Sequence, residues 1–157
     1  MRTAMKGHTL LALIFVSFIF GACNFLGGSR SKEKTKDLPK SVKVQSILIG
    51  FKGSLPGKEI ERSKEEAQKL ARDVFEKSKD QGADFGSLVV SYSDDMVPGI
   101  FELTNDSENK KTDQFLKSEF FKAWADKAFE LEVGELAYVP YEENQAAYGF
   151  YILKRLE

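Results

Sequence analysis

The position of the chain's only cysteine, Cys23, fixes how much of the sequence is left to build a domain. Residues 9–20 (TLLALIFVSFIF) form an uncharged apolar run, with Arg2 and Lys6 ahead of it and the small pair Gly21-Ala22 behind it. A basic start, a short apolar stretch and small residues before a cut site make a secretory signal. The run is shorter than the ~20 apolar residues that a membrane-spanning helix needs. Removing residues 1–22 leaves ~135 of the 157 residues, enough for one domain with a real core.

A cysteine directly after small residues resembles the lipobox of bacterial lipoproteins, where it is lipidated and becomes the mature N-terminus. The match covers Phe20-Gly21-Ala22-Cys23, with Phe20 standing where leucine is usual. The resemblance implies a lipid on Cys23 and a domain anchored in the bacterial cell envelope, at the periplasmic face of the inner membrane or at the outer membrane. The single histidine, His8, falls in the segment to be removed. Without histidine or a free thiol the mature chain has no imidazole for acid–base work and no thiolate nucleophile. It also lacks the commonest zinc ligands, so no metal and no cofactor is expected. Its 21 basic residues (the chain's 23 less Arg2 and Lys6) and 24 acidic residues nearly cancel, which gives no reason to expect nucleic acid as a partner.

Residues 23–40 hold the lipidation cysteine and a Gly-, Ser- and Lys-rich stretch that reads as a flexible tether. The folded domain is expected over residues 41–157. It opens with a strand at residues 42–51, where Val42 and Val44 alternate with polar residues and Ile47-Leu48-Ile49 run together. Gly50, Gly53, Pro56 and Gly57 then make a loop in which Lys52, Lys58 and Arg62 read as solvated. Ser63 and Glu66 form a capping box ahead of Ala67, Leu70, Ala71, Val74 and Phe75 at helical spacing. Asp84 caps a second short helix with Phe85, Leu88, Val89 and Tyr92 on one face, and residues 93–99 turn with paired acids. A short strand at 100–103 and a polar loop at 104–111 follow, and residues 115–129 read as one helix. Strands at 136–139 and 148–154 close the chain. The order predicts an α+β domain, about four helices on a small antiparallel sheet of about four strands.

Four segments of this domain are similar to the parvulin-type peptidyl-prolyl isomerases, and the resemblance runs over residues 42–156. They are the opening strand Val44-Gln45-Ser46-Ile47-Leu48-Ile49; Gly82-Ala83-Asp84-Phe85-Gly86-Ser87-Leu88 leading to Tyr92-Ser93-Asp94-Asp95; Ala128-Phe129-Glu130-Leu131-Glu132-Val133-Gly134-Glu135-Leu136; and Tyr148-Gly149-Phe150-Tyr151-Ile152-Leu153-Lys154. The resemblance also exposes departures. Ser46 and Tyr151 stand where the family usually carries a pair of histidines on the first and last strands. The family's glycine-rich stretch after the acidic turn is reduced to Pro98-Gly99-Ile100-Phe101.

Turning an X–Pro bond needs no covalent step. Its barrier of ~18–20 kcal/mol comes from breaking amide resonance, so catalysis needs a site that favours the twisted amide over either planar form. An apolar slot suits this, because a twisted amide is less polar and loses less on leaving water. The resemblance places that substrate slot at Phe120, Trp124 and Phe129, with Phe120 and Trp124 on one helix face. It places Asp95 beside the substrate amide as a catalytic carboxylate that tunes the local field. Ser46 and Tyr151 complete the catalytic set as hydrogen-bonding partners in place of the two imidazoles. The expected function is a membrane-tethered peptidyl-prolyl isomerase, a foldase for exported proteins with X–Pro bonds. The other reading is a chaperone or scaffold that holds unfolded or proline-containing segments without catalysis. The missing histidines favour it.

Overall fold

The structure, a computed structural model, describes residues 38–157. The expected signal segment, Cys23 and most of the expected tether lie outside the described residues.

Five strands form one sheet in the order β3-β2-β1-β5-β4. The central strand β1 (Ser41–Ile49) is flanked antiparallel by β2 (Ile100–Thr104) and β5 (Phe150–Arg155), and β4 (Leu136–Val139) pairs antiparallel with β5. A strand buried on both faces sends alternate side chains into two cores. From β1, Val42, Val44 and Leu48 enter one core, and Ile47 and Ile49 enter the other.

The second core is covered by α1 (Lys64–Ser78) and α2 (Phe85–Tyr92). Both begin where the sequence places a cap. Glu66 N–H donates to Ser63 Oγ at 3.1 Å, and Ser63 N–H returns to Glu66 Oε2 at 2.7 Å, which completes the capping box. Asp84 accepts from Gly86 N–H at 3.0 Å and from Ser87 Oγ at 2.6 Å, and these bonds hold its carboxyl below the usual range. Small side chains on the inner stripe of α1, Ala67 and Ala71, let that helix lie close against the sheet.

The α+β class and the size of the sheet agree with the sequence reading, but residues 115–129 do not form one helix. Phe115–Leu116 is a fifth strand, β3, which runs parallel to β2 with Leu103 opposite Phe115 and Thr104 opposite Leu116. A single 3-10 turn (Lys117–Glu119) follows, then Phe120 and Phe121 in extended backbone, and only then α3 (Lys122–Glu130). Pairing with β2 overrides the helical spacing. Gln114 Nε2 donates to Glu102 Oε1 at 2.6 Å and starts the chain in line with that strand. The domain therefore has three α-helices, with α3 alone on the first core. Among the described residues no helix is long and apolar enough to cross a membrane.

Candidate functional site

A cavity of about 380 Å³ opens on the α3 face of the sheet. Its floor is made of side chains that are nearly inaccessible: Ser46 from β1 at 5 %, Trp124 from α3 at 2 % and Tyr151 from β5 at 6 % exposure. Sheet register brings the two strand residues together. Ser46 lies opposite Leu153 and Tyr151 opposite Leu48, so Ser46 and Tyr151 are diagonal neighbours on one face. They do not serve each other as the sequence suggests. Ser46 Oγ accepts the indole N–H of Trp124 at 3.3 Å. The Tyr151 phenol sits in the field of Asp95, where burial first, and then the Asp95 carboxylate, push its pKa well above the ordinary value. It is a neutral donor throughout the physiological range.

Aromatic rings build one wall. Phe120 stacks on Trp124 with ring centres 4.6 Å apart and planes 20° from parallel. Phe101 of β2 meets both edge-on, at 5.4 Å from Phe120 and 5.7 Å from Trp124. Opposed rings of this kind add about 0.5–1.5 kcal/mol each beyond the area they bury. They also hold the wall in one shape. Phe121 and Tyr148, packed edge to face at 5.1 Å, form another part of the lining. Phe120 and Trp124 are not on one helical face, because Phe120 precedes α3 in extended backbone. The break lets consecutive Phe120 and Phe121 both line the cavity.

The acidic turn divides its labour. Asp95 is exposed at the cavity rim, while Asp94 holds the turn in place. Asp94 N–H donates to Leu48 O at 2.7 Å, and its carboxylate accepts Gly50 N–H at 2.8 Å and both terminal nitrogens of Arg62. Lys58 Nζ donates to the Asp94 carbonyl. Lys58 and Arg62 are thus struts between the loop after β1 and the acidic turn, not solvated loop charges. Ser93 Oγ adds two bonds, from Leu48 N–H at 3.2 Å and Asp95 N–H at 3.3 Å.

Of the expected site residues, Ser46, Asp95, Phe120, Trp124 and Tyr151 share this cavity. Phe129 does not. It has 0 % exposure inside the first core, with Lys117 Nζ 5.2 Å from its ring centre, so α3 presents it to the packed interior and not to the slot. Sequence reasoning passed over Phe101, Glu119, Phe121 and Tyr148, which also line the cavity. The doublet Phe120-Phe121 was the available signal, since two adjacent large rings cannot both lie on one helical stripe. Among the described residues no group of three or more potential metal ligands gathers.

Residues 30–157 match the family model described as a PPIC-type PPIase domain. The chain is similar to the solution structure of TbPIN1, at 17% identity and a TM-score of 0.53, over 76% of this chain and 100% of that one. At that identity the likeness concerns the fold. No curated protein matches the chain.

Proposed function

The chain belongs to the PPIC-type peptidyl-prolyl isomerase family, and on that premise we propose that the cavity floored by Ser46, Trp124 and Tyr151 is where it turns the X–Pro bonds of its clients. The family binds proline-containing peptides, so the question for this chain is which of its groups favour the twisted amide. The observation that carries the reading is the aromatic slot with the Asp95 carboxylate and the neutral phenol of Tyr151 among its polar groups. The Phe120–Trp124 stack with Phe101 gives the proline ring an apolar seat and takes the amide out of water. Rotation out of the plane breaks the resonance that polarises the amide, so the twisted form loses less on desolvation. It also frees the nitrogen lone pair. A phenol that stays protonated can donate to that nitrogen or to the carbonyl oxygen, and Asp95 sets the field around it.

A protease-coupled isomerisation assay with X–Pro peptides tests this. Acceleration by the wild type is expected to fall about a hundredfold or more in Asp95→Ala and Tyr151→Phe, the low end of what a positioned polar group contributes, and to fall in Phe120→Ala as well. A folded chain that accelerates nothing would remove the enzymatic reading. The chaperone or scaffold would then stand, and one observation already favours it. Ser46 and Tyr151 are turned to different partners, so no hydrogen-bonded pair occupies the place of the family's histidines.

The clients we assign are exported proteins, met by a domain tethered in the cell envelope through a lipid on Cys23. Support comes from the sequence: the basic start, the apolar run at 9–20, the small pair before Cys23 and the polar stretch up to the domain. Fatty-acid labelling and membrane fractionation of Cys23→Ser decide it. Loss of both label and membrane association is expected, and retention of both would end the lipoprotein reading.

A further inference from the structure

Phe120 lines two cavities, which meet at this residue. Beyond the slot lies a larger one of about 500 Å³, bounded by the loop after β2, the 3-10 turn and the start of α3. Charge changes sign from one to the other. The slot's rim carries Asp95 and Glu119, whereas the second cavity carries Lys117 and Lys122 around a single carboxylate, Asp126. Lys117 Nζ is 2.6 Å from Asp126 Oδ1, and Lys122 takes the other oxygen. Those two ammonium groups hold the Asp126 carboxyl below its usual range. Glu130, one turn further along, pairs with Lys127 at 2.6 Å and adds to the negative field on Lys122. The charged residues that line the cavity therefore sum to one positive charge, and the Lys122 side chain, 76% exposed, is open to a ligand that competes with Asp126 for it.

The far rim of this cavity is built in place. Thr104 Oγ1 donates to Lys40 O at 3.0 Å and accepts Asp106 N–H at 3.0 Å. Asn105 N–H donates to the same Lys40 carbonyl at 2.9 Å. The Asp106 carboxylate then gathers the backbone N–H groups of Glu108 and Asn109 at 3.2 and 3.1 Å. A rim fixed before binding lowers the ordering cost a client must meet.

We propose that this second cavity is a subsite for the part of a client that flanks its proline, and that it favours clients with an acidic residue near that proline. The inference rests on the slot being the proline site. An extended chain advances ~3.3 Å per residue, so a side chain roughly two to four positions from the proline reaches past one phenyl ring. A glutamate or aspartate there meets the spare charge of Lys117 and Lys122, and a lysine there meets repulsion.

Trp124 is the chain's single tryptophan and lies on the slot floor, so its fluorescence reports slot occupancy whatever the flanking residues are. The full chain is titrated with proline peptides that differ only in carrying glutamate, glutamine or lysine at those flanking positions, at low and high salt. Glutamate peptides are expected to bind about threefold more tightly than glutamine peptides at low salt, the size of one exposed ion pair. The preference should shrink as salt screens it. In Lys122→Gln the ratio should fall towards one, and in Lys122→Glu it should invert. Equal binding of all three peptides, with Trp124 still responding, would overturn the subsite and leave the slot reading intact. A preference that survives Lys122→Glu would overturn it as well. No response of Trp124 to any proline peptide would overturn the slot reading, and the subsite with it.

Discussion

Trp124 donates its indole N–H to Ser46 Oγ at 3.3 Å, tying α3 to the central strand beneath the slot. Both groups are buried, so the bond can be broken only by stranding a donor without water. Ser46→Ala is expected to cost about 1–3 kcal/mol for that reason, at the low end because the bond is long. Urea denaturation should show a lower midpoint at an unchanged slope. Combining Trp124→Phe with Ser46→Ala removes both partners. If Ser46→Ala costs as much in the Trp124→Phe background as in the wild type, the hydrogen bond contributes nothing.

Tyr151 should make stability fall at alkaline pH. Its phenol ionises less readily in the fold than in the unfolded chain, because burial first, and Asp95 second, oppose the charge. The unfolded chain then releases a proton that the folded chain keeps. The contribution is fully present below the unfolded pKa of about 10 and is lost as pH rises beyond it, by at most about 1.4 kcal/mol per pH unit. Tyr138, raised by its own burial, adds in the same direction. Denaturation at pH 9 and pH 11 should show a smaller alkaline loss in Tyr151→Phe than in the wild type. Identical losses would mean that the phenol is not buried in solution.

What the sequence made legible was local. The capping box at Ser63 and Glu66 and the cap at Asp84 each act within three residues, and both helices start there. The double-faced burial of β1 followed from its apolar run. The fate of residues 115–129 depended on β2, a dozen residues away, and no local pattern reports that pairing. The slot shows the same division. Family resemblance pointed to Ser46, Asp95, Phe120, Trp124 and Tyr151, but Phe101, Phe121 and Tyr148 join them from other segments through tertiary packing. The partner of Ser46 was unreadable too, because Trp124 reaches it from 78 residues away.

Arg62 and Asp94 are the clasp between the loop after β1 and the turn that carries Asp95. The side chains are 29% and 16% exposed, so solvent screens the pair only in part. Arg62→Ala leaves the Asp94 carboxylate with Gly50 N–H and should cost about 1–3 kcal/mol. Arg62→Lys keeps the charge and loses the two-nitrogen grip, so it should recover part of the loss. The consequence for catalysis is indirect. A loosened turn misplaces Asp95, so kcat/KM in the isomerisation assay should fall further in Arg62→Ala than in Arg62→Lys. Equal activity in both variants and the wild type would show that the clasp does not position Asp95.

Gly99 presses against the backbone of the slot-floor residue Ser46, and the contact can be separated from ordinary glycine flexibility. Gly99 O accepts Ser46 N–H at 2.8 Å, and a Cβ at Gly99 would lie 2.5 Å from Ser46 O. Its φ of +66° adds the penalty that any L side chain meets in the left-handed region. Gly134 provides the contrast, with φ of +88° but nothing within 4 Å of the added carbon. Gly134→Ala should therefore cost only the conformational term of about 1–2 kcal/mol. Gly99→Ala must bear that term and also displace backbone that cannot swing away, so its denaturation midpoint should drop clearly further. The displaced backbone belongs to Ser46, so Gly99→Ala should also weaken the binding of proline peptides read by Trp124, which Gly134→Ala should leave unchanged. Equal midpoints for the two variants would mean that Gly99 and Ser46 are not in close contact in solution.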